Sequence, residues 1–143
     1  MRVAPEKGTT MTSNGLTLAL TVLPATLAVC RLAPDSPIPD WASGGVLSIA
    51  ARTPDELSLV CADDAVPDGT VAERGWRALQ VAGPLPFEMV GVMAALAVPL
   101  AEAQVSIFAV STFLTDYLLV RAGDLDWAVQ ALRGAGHKVN DER

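Results

Sequence analysis

The sequence has few of the residues that metal sites and thiol chemistry require. It contains one histidine, His137, and two cysteines, Cys30 and Cys61, which lie far apart and lack the spacing of metal ligands. A zinc site is therefore not expected, and no other metal or cofactor is predicted. Both cysteines lie in apolar, strand-like runs, so we expect two reduced thiols in the core.

Basic residues and long apolar runs are also scarce. Ten lysines and arginines face sixteen acids, the net charge is −6, and the basic residues form no cluster, which argues against nucleic acid or a membrane as a partner. The longest apolar run, Met89 to Ala101, is too short to span a bilayer. Met1 to Ser13 lacks the apolar core of a signal peptide, so we expect a flexible tail, Met11 as a second candidate start, and a cytoplasmic protein.

β-Branched and aromatic residues concentrate between residues 104 and 121. They predict two strands, Val105 to Ser111 and Tyr117 to Arg121. The segment between them, residues 111–116, is called the polar turn, and it brings together Ser111, Thr112, Thr115 and Asp116. These side chains can bind a small polar ligand, or they can merely satisfy the backbone of an ordinary turn. From the residues alone, both interpretations stay open.

Hydrophobic spacing predicts the other elements of the second half. Trp76 to Val81 alternates as a strand, and a helix is expected to start near Pro86 and to kink or end at Pro99. The apolar stripe of that helix is predicted at Phe87, Val90, Met93, Ala94, Ala97 and Leu100 or Ala101.

A second helix, Asp124 to Ala135, and a short last strand, His137 to Val139, complete the second half. The helix has a buried face predicted at Leu125, Ala128, Val129 and Leu132, and it stops at Gly136. His137 is expected at the surface. The order strand, helix, strand, strand, helix, strand is the split βαβ, ferredoxin-like arrangement.

The first half has strands but weak helical signals. Leu16 to Leu23 and Leu27 to Leu32 predict a hairpin-like pair, and Val46 to Ala51 predicts another strand. Thr53 to Glu56 has the residues of a helix cap, but Leu57 to Cys61 returns to a strand pattern, so a single tight turn is predicted. A weak internal repeat relates Ser48–Val60 to Ser106–Val120.

Several of these segments resemble the small bacterial proteins with ACT domains related to the CASTOR arginine sensors. The most specific segment is Ser106 to Phe113 followed by Thr115 to Val120, and the resemblance covers roughly Leu16 to Val139. Other segments that fit are Thr53–Cys61, Glu73–Arg77, Gly83-Pro84-Leu85, Phe87, Gly91, Leu96 and Pro99-Leu100. The resemblance implies an α/β (α+β) fold of two tandem ferredoxin-like ACT modules, 14–70 and 71–143, the first with degenerate helices, after a tail at 1–13.

The resemblance also implies a sensor of small molecules, typically amino acids, at an ACT-module interface. The implied ligand-binding residues are Gly83, Leu85, Pro86, Phe87, Ile107, Phe108, Ser111, Thr112, Thr115 and Asp116. Backbone N–H groups at a helix start favour a carboxylate, and Asp116 is expected to pair with an α-ammonium group or a cationic side chain. Leu114 and Gln104 depart from the family pattern, which usually has a polar residue and a glycine there.

Two functions are therefore retained and one is set aside. The first is a non-catalytic regulatory protein that binds an amino acid as a homodimer and acts on a protein partner. The alternative is a purely structural ACT assembly module without a ligand, which Leu114 favours. An enzyme is not expected, because no base accompanies Ser111 and no phosphate loop or metal-ligand set is present.

Overall fold

The structure is a computed structural model that describes residues 15–141, so the predicted tail at 1–13 lies outside the described residues. The chain divides into two compact units. We call Met1–Val22 with Ala78–Arg143 the discontinuous unit, and Leu23–Arg77 the inserted unit. The module boundaries predicted from the sequence, 14–70 and 71–143, stay a prediction.

The described residues form strands and helices in the mixed α+β order expected of ferredoxin-like ACT modules. Their bounds are β1 Ala19–Leu32, β2 Ile49–Arg52, β3 Leu57–Ala62, β4 Val71–Val81, α1 Val92–Glu102, β5 Ile107–Ser111, β6 Asp116–Arg121, α2 Leu125–Gly134 and β7 Lys138–Asn140. The fold class predicted from the sequence is confirmed.

The inserted unit is built on antiparallel strands in the order β2–β3–β1. Strand β3 pairs antiparallel with β2 on one side and with β1 on the other. One face of β3 carries the buried side chains of Leu57, Leu59 and Cys61, as the alternating pattern predicts. A short 3-10 helix, Asp40–Ala42, lies in the proline-rich segment and packs Trp41 against this cluster.

The hairpin predicted around Pro24 is wrong, because β1 runs without a break from Ala19 to Leu32. Pro24 looked like a breaker because it cannot donate to a strand ladder. Along one edge of β1, however, β7 pairs at residues 19–21 and β3 pairs at residues 27–32. Pro24 lies between these two paired stretches, at a point where no partner strand among the described residues accepts a hydrogen bond from that edge of β1, so its missing N–H costs no ladder bond. Strand β4 also begins earlier than the sequence predicts, at Val71 instead of Trp76.

The discontinuous unit has the strand order β7–β1–β4–β6–β5, with β7 parallel to β1. Its core joins side chains of the sheet to those of both helices. Helix α2 buries the four predicted residues, Leu125, Ala128, Val129 and Leu132. At its C-terminus, the N–H of His137 bonds to the carbonyl of Leu132 at 3.1 Å, past Gly136 in the left-handed region at φ 98°.

Helix α1 starts at Val92 instead of near Pro86, so the predicted start and most of the predicted apolar stripe are wrong, whereas Leu100 is buried as predicted. Its buried residues are Val92, Ala95, Leu96, Pro99 and Leu100. The preceding residues are held as a loop, because Gly91 adopts a left-handed conformation at φ 84° and the N–H of Leu85 bonds to the carbonyl of Leu114. A tertiary contact thus overrides the local helical pattern of residues 86–91.

Pro99 lies inside α1 and does not end it, because His137 supplies the missing hydrogen bond. Proline has no N–H for the carbonyl four residues earlier, which is that of Ala95. The Nε2 atom of His137 lies 2.9 Å from this carbonyl oxygen. The Nδ1 atom accepts a hydrogen bond from the Leu18 N–H at 3.1 Å. The expectation that His137 is a surface residue is therefore wrong: it is 3% exposed.

Gln104 occupies a position that favours glycine. Its φ of 60° lies in the left-handed region, and it is the residue where the helix turns into the next strand. The N–H of Val105 bonds to the carbonyl of Leu100 at 2.8 Å, which closes the C-terminus of α1. This geometry explains why the resembling family usually has glycine here.

The two hairpins of the internal repeat have the same local structure. In the first, Thr53 Oγ1 accepts hydrogen bonds from the N–H groups of Asp55 and Glu56. In both, the N–H of the turn's first threonine bonds to the carbonyl three residues later, from Thr53 to Glu56 and from Thr112 to Thr115. Each turn has four residues between paired strands, and each second strand has six residues followed by a 3-10 helix.

Candidate functional site

The polar turn joins β5 to β6 in the discontinuous unit. Ser111 and Asp116 are directly opposite each other as the last pair of the ladder, which leaves a four-residue turn, 112–115. The N–H of Thr112 donates to the Thr115 carbonyl at 2.8 Å, and the Thr112 hydroxyl donates to the same oxygen at 3.1 Å. The Thr112 hydroxyl therefore stabilises the turn itself.

Thr115 and Asp116 point into the protein. The Thr115 hydroxyl donates a 2.6 Å hydrogen bond to the carbonyl of Val81 at the end of β4, and the side chain is 3% exposed. Asp116 has no exposed surface. Ser111 and Thr112 are exposed. Of the four polar side chains predicted to contact a ligand, two are thus on the surface and two lie beneath it.

The 83–91 loop lies against the polar turn. The N–H of Leu85 donates a 2.8 Å hydrogen bond to the carbonyl of Leu114. At Gly83, a Cβ would lie 3.1 Å from that same carbonyl oxygen and 3.1 Å from the Thr115 Cβ. Only a glycine fits here without a shift of the turn. The structure therefore places Gly83 and Leu85 against the polar turn, in the same region as the other residues that the resemblance implies for a ligand.

Two aromatic rings also join the loop to the turn. The Phe87 and Phe113 ring centroids are 4.8 Å apart with an interplanar angle of 89°, which is a favourable edge-to-face arrangement. Phe113 and Leu114 were not among the predicted ligand-binding residues, yet they form the tip of the turn and are 76% and 60% exposed. The sequence signal that could have identified them is their position: two large apolar residues lie between threonines, where turns usually carry small polar residues.

Ile107 and Phe108 are placed apart from the rest of the predicted set. They occupy the opposite end of β5, paired with Val120 and Leu119. At about 3.3 Å per residue they lie roughly 10–13 Å along the strand from Ser111. Ile107 packs against the core of the discontinuous unit. A ligand contact of these two residues stays a prediction.

The two cysteines are free and buried in the inserted unit, as predicted. They lie on the same face of neighbouring strands, and a hydrogen bond joins the thiols. Burial raises the pKa of Cys30, and burial together with the neighbouring Cys30 raises the pKa of Cys61 to about 11. Both thiols are therefore protonated at neutral pH, and neither has the thiolate character of a nucleophile.

The described residues contain no grouping suited to a metal ion. Within 15–141, no three histidine, cysteine, aspartate or glutamate side chains come close enough to bind one. None of the helices in this part of the chain has the length and apolar character needed to cross a membrane.

A groove of about 500 Å³ between α1 and α2 is lined by Pro99, Glu102, Ala103, Trp127, Gln130, Ala131, Gly134 and Ala135.

Comparisons with known proteins identify the family. A family model described as an ACT domain matches residues 71–134. A protein from Agrobacterium tumefaciens with a known crystal structure shares 36% identity over 90% of this chain and 96% of its own, with a TM-score of 0.84. The chain belongs to the ACT-domain family. A second family model, for an N-terminal domain, matches residues 25–69 of this ACT-domain protein.

More distant structures share the fold. A Vibrio cholerae protein described as of unknown function and a possible transport protein has 20% identity over 87% of this chain and 93% of its own, with a TM-score of 0.69. The regulatory subunit of aspartate kinase from Thermus thermophilus, in a ligand-free form, has 13% identity over 79% and 93%, with a TM-score of 0.56. No curated protein matches the chain.

Proposed function

We propose that this ACT-domain protein is a non-catalytic regulatory protein that binds an α-amino acid between the 83–91 loop and the polar turn. The observation that carries the proposal is the contact of these two segments, through the Leu85–Leu114 hydrogen bond and the close approach at Gly83. The loop before α1 and the polar turn between β5 and β6 are about 30 residues apart in sequence. Through these contacts they form one surface that carries polar groups of the backbone and of side chains.

A helix start beside this surface suits a carboxylate. The first turn of α1 has no acidic residue, and its N-cap, Gly91, provides no side-chain hydrogen bond. Backbone N–H groups at such an end attract an anion, and the helix dipole adds to that attraction. The exposed hydroxyl of Ser111 is a further donor and acceptor for an amino acid. The predicted pairing of Asp116 with an ammonium group requires the turn to open, because the carboxylate is buried.

Regulation in place of catalysis agrees with the residues of this surface. Neither the 83–91 loop nor the polar turn contains a histidine, cysteine or lysine. His137 uses both ring nitrogens in buried hydrogen bonds elsewhere. The aspartate kinase regulatory subunit shares the fold, and binding of a ligand that prefers one of two states shifts an assembly or partner equilibrium. We propose that the equilibrium here is that of a cytoplasmic homodimer with a protein partner.

Thermal unfolding against the common amino acids and nucleotides tests this function. A ligand at about a hundred times its Kd stabilises the folded state by about 2.7 kcal/mol, which raises Tm by several degrees in a chain of this size. Gly83→Ala is expected to reduce that increase, because the added Cβ displaces the turn. Gly123→Ala is the matched control, since its Cβ would meet nothing within 4 Å.

The exposed tip of the turn favours a second candidate, a structural ACT assembly module without a ligand. Among the described residues of the discontinuous unit, Phe113 and Leu114 are the most exposed large apolar ones, and exposed apolar patches mark contacts between proteins. Sedimentation of the purified chain separates the two functions. A stable oligomer whose Tm responds to none of the amino acids or nucleotides is expected of the assembly module, and the amino-acid proposal is then abandoned.

A further inference from the structure

An apolar surface lies directly beside the proposed amino-acid site. Phe87, Phe113 and Leu114 are 41%, 76% and 60% exposed, and we call these three residues the apolar tip. A large apolar side chain left in water gives up the free energy that its burial would contribute. Three such residues on one loop and one turn are therefore costly unless something covers them.

The apolar tip is held in place by the contacts that form the site. Phe87 packs edge to face on Phe113 at 4.8 Å. The backbone of Leu114 is fixed by the hydrogen bond from the Leu85 N–H. Behind it, Gly83 lies so close that an added Cβ would be 3.1 Å from the Leu114 carbonyl oxygen. The paired phenylalanine rings and the backbone of Leu114 thus lie next to the polar groups proposed for the ligand backbone.

Charged groups at this surface are few. The 83–91 loop and the polar turn contain two, Glu88 and Asp116. Asp116 is buried, whereas Glu88 is exposed. A guanidinium or ammonium side chain therefore finds one exposed carboxylate, and an acidic side chain finds no basic residue. The environment offered to a ligand side chain is mainly apolar.

We infer that the amino acid bound at this site carries a large apolar side chain, of the leucine, isoleucine or phenylalanine class, which packs on the apolar tip. This inference rests on the proposed function, because the site must first bind an amino acid. Leu114, which departs from the usual polar residue of the resembling family, is the specificity-determining residue. Each buried methylene contributes about 0.8 kcal/mol, so leucine should bind about 10- to 100-fold more tightly than alanine.

Isothermal titration of the full chain with L-leucine, L-phenylalanine, L-alanine, L-arginine and L-aspartate tests the inference. Leucine or phenylalanine should bind most tightly. Leu114→Ser should weaken leucine binding about tenfold and leave alanine binding unchanged, because alanine does not reach the apolar tip. Val71→Ser is the matched control: Val71 is 57% exposed and belongs to the inserted unit, so the leucine affinity should be that of the natural chain.

The possible failures are distinguishable. Tight binding of arginine or aspartate with weak binding of leucine would overturn the apolar specificity and leave the proposed function standing. An unchanged leucine-to-alanine ratio in Leu114→Ser would do the same. If none of the five amino acids binds, and Leu114→Ser dissociates an oligomer of the natural chain in sedimentation, the apolar tip is a contact between copies, and both the inference and the proposed function are overturned.

Discussion

The hydrogen bond from His137 to the Ala95 carbonyl predicts a specific energetic coupling with Pro99. Nε2 of His137 lies 2.9 Å from the carbonyl oxygen that the proline leaves without its helical partner. Nδ1 accepts the Leu18 N–H at 3.1 Å. His137→Phe preserves an aromatic ring in the buried position but removes both hydrogen bonds.

The expected cost follows from the two orphaned backbone groups. A buried donor or acceptor that loses its partner costs about 1–3 kcal/mol, so His137→Phe should lower the free energy of unfolding by about 2–6 kcal/mol. The entropy of unfolding of a chain this long is about 0.3 kcal/mol per degree. The corresponding fall in Tm is roughly 7–20 °C. Urea unfolding followed by circular dichroism measures the free energy directly.

A double-mutant cycle with Pro99→Ala isolates the compensation. Alanine restores an N–H that can reach the Ala95 carbonyl, so His137→Phe should cost about 1–3 kcal/mol less in that background. The Leu18 N–H remains orphaned in both backgrounds. Gly123→Ala is the control background, because its Cβ meets nothing within 4 Å, and the cost of His137→Phe should be unchanged there. Equal costs of His137→Phe in the natural chain and in the Pro99→Ala variant would refute this explanation of the uninterrupted helix.

Three further substitutions test other parts of the structure. Thr115→Val removes a buried 2.6 Å hydrogen bond and should lower the free energy of unfolding in urea by about 1–3 kcal/mol. The same change at the exposed Thr21 should have little effect, and equal losses at the two positions would contradict the stabilising role of this hydrogen bond. Gln104→Gly relieves a left-handed backbone at φ 60°, which costs about 1–2 kcal/mol in a residue with a side chain. Glycine loses about 0.5–1 kcal/mol more in conformational entropy on folding, so stability in urea should rise by about 0.5–1 kcal/mol, and a loss would contradict the strain at this position. The folded pKa of Cys61 is raised from 9.0 to about 11, so its contribution to stability is complete below about pH 9 and is lost as the pH rises toward 11, by up to about 3 kcal/mol. Cys61→Ala should flatten this alkaline decline in urea titrations, and an identical decline would contradict the assignment.

Local patterns in the sequence were sufficient for the elements that are stabilised locally. The four apolar positions of α2 recur at helical spacing, and all four are buried. The tight turn at Thr53 follows from its own side chain, which caps two N–H groups within three residues. The β5–β6 hairpin is similarly encoded by two β-branched runs around a short polar segment.

Elements determined by distant contacts could not be predicted in the same way. The start of α1 depends on the docking of the 83–91 loop on Leu114, about 30 residues later. The burial of His137 depends on Leu18, 119 residues earlier, and on Ala95. The continuity of β1 through Pro24 depends on which strand pairs on each part of its edge. A single sequence contains no local signal for such partners.

The candidate site was predictable in its segments but not in the direction of its side chains. The resemblance grouped the loop after β4 with the polar turn, and the two segments are in contact. Thr115 and Asp116 nevertheless face inward, because Thr115 bonds to the Val81 carbonyl. Phe113 and Leu114 face outward instead. A one-residue difference in register decides which side chains reach a ligand, and the sequence alone does not fix it.

Backbone amide exchange in the presence of L-leucine tests the central claim most directly. At saturating leucine, protection is expected in the 83–91 loop, in residues 111–116 and at the first turn of α1, and Gly83→Ala should abolish it. Protection confined to the groove between α1 and α2 would contradict the claim that the loop and the polar turn form an amino-acid site. If leucine adds no protection, the same measurement with L-phenylalanine, L-alanine, L-arginine and L-aspartate decides, and no added protection with any of the five would contradict the claim.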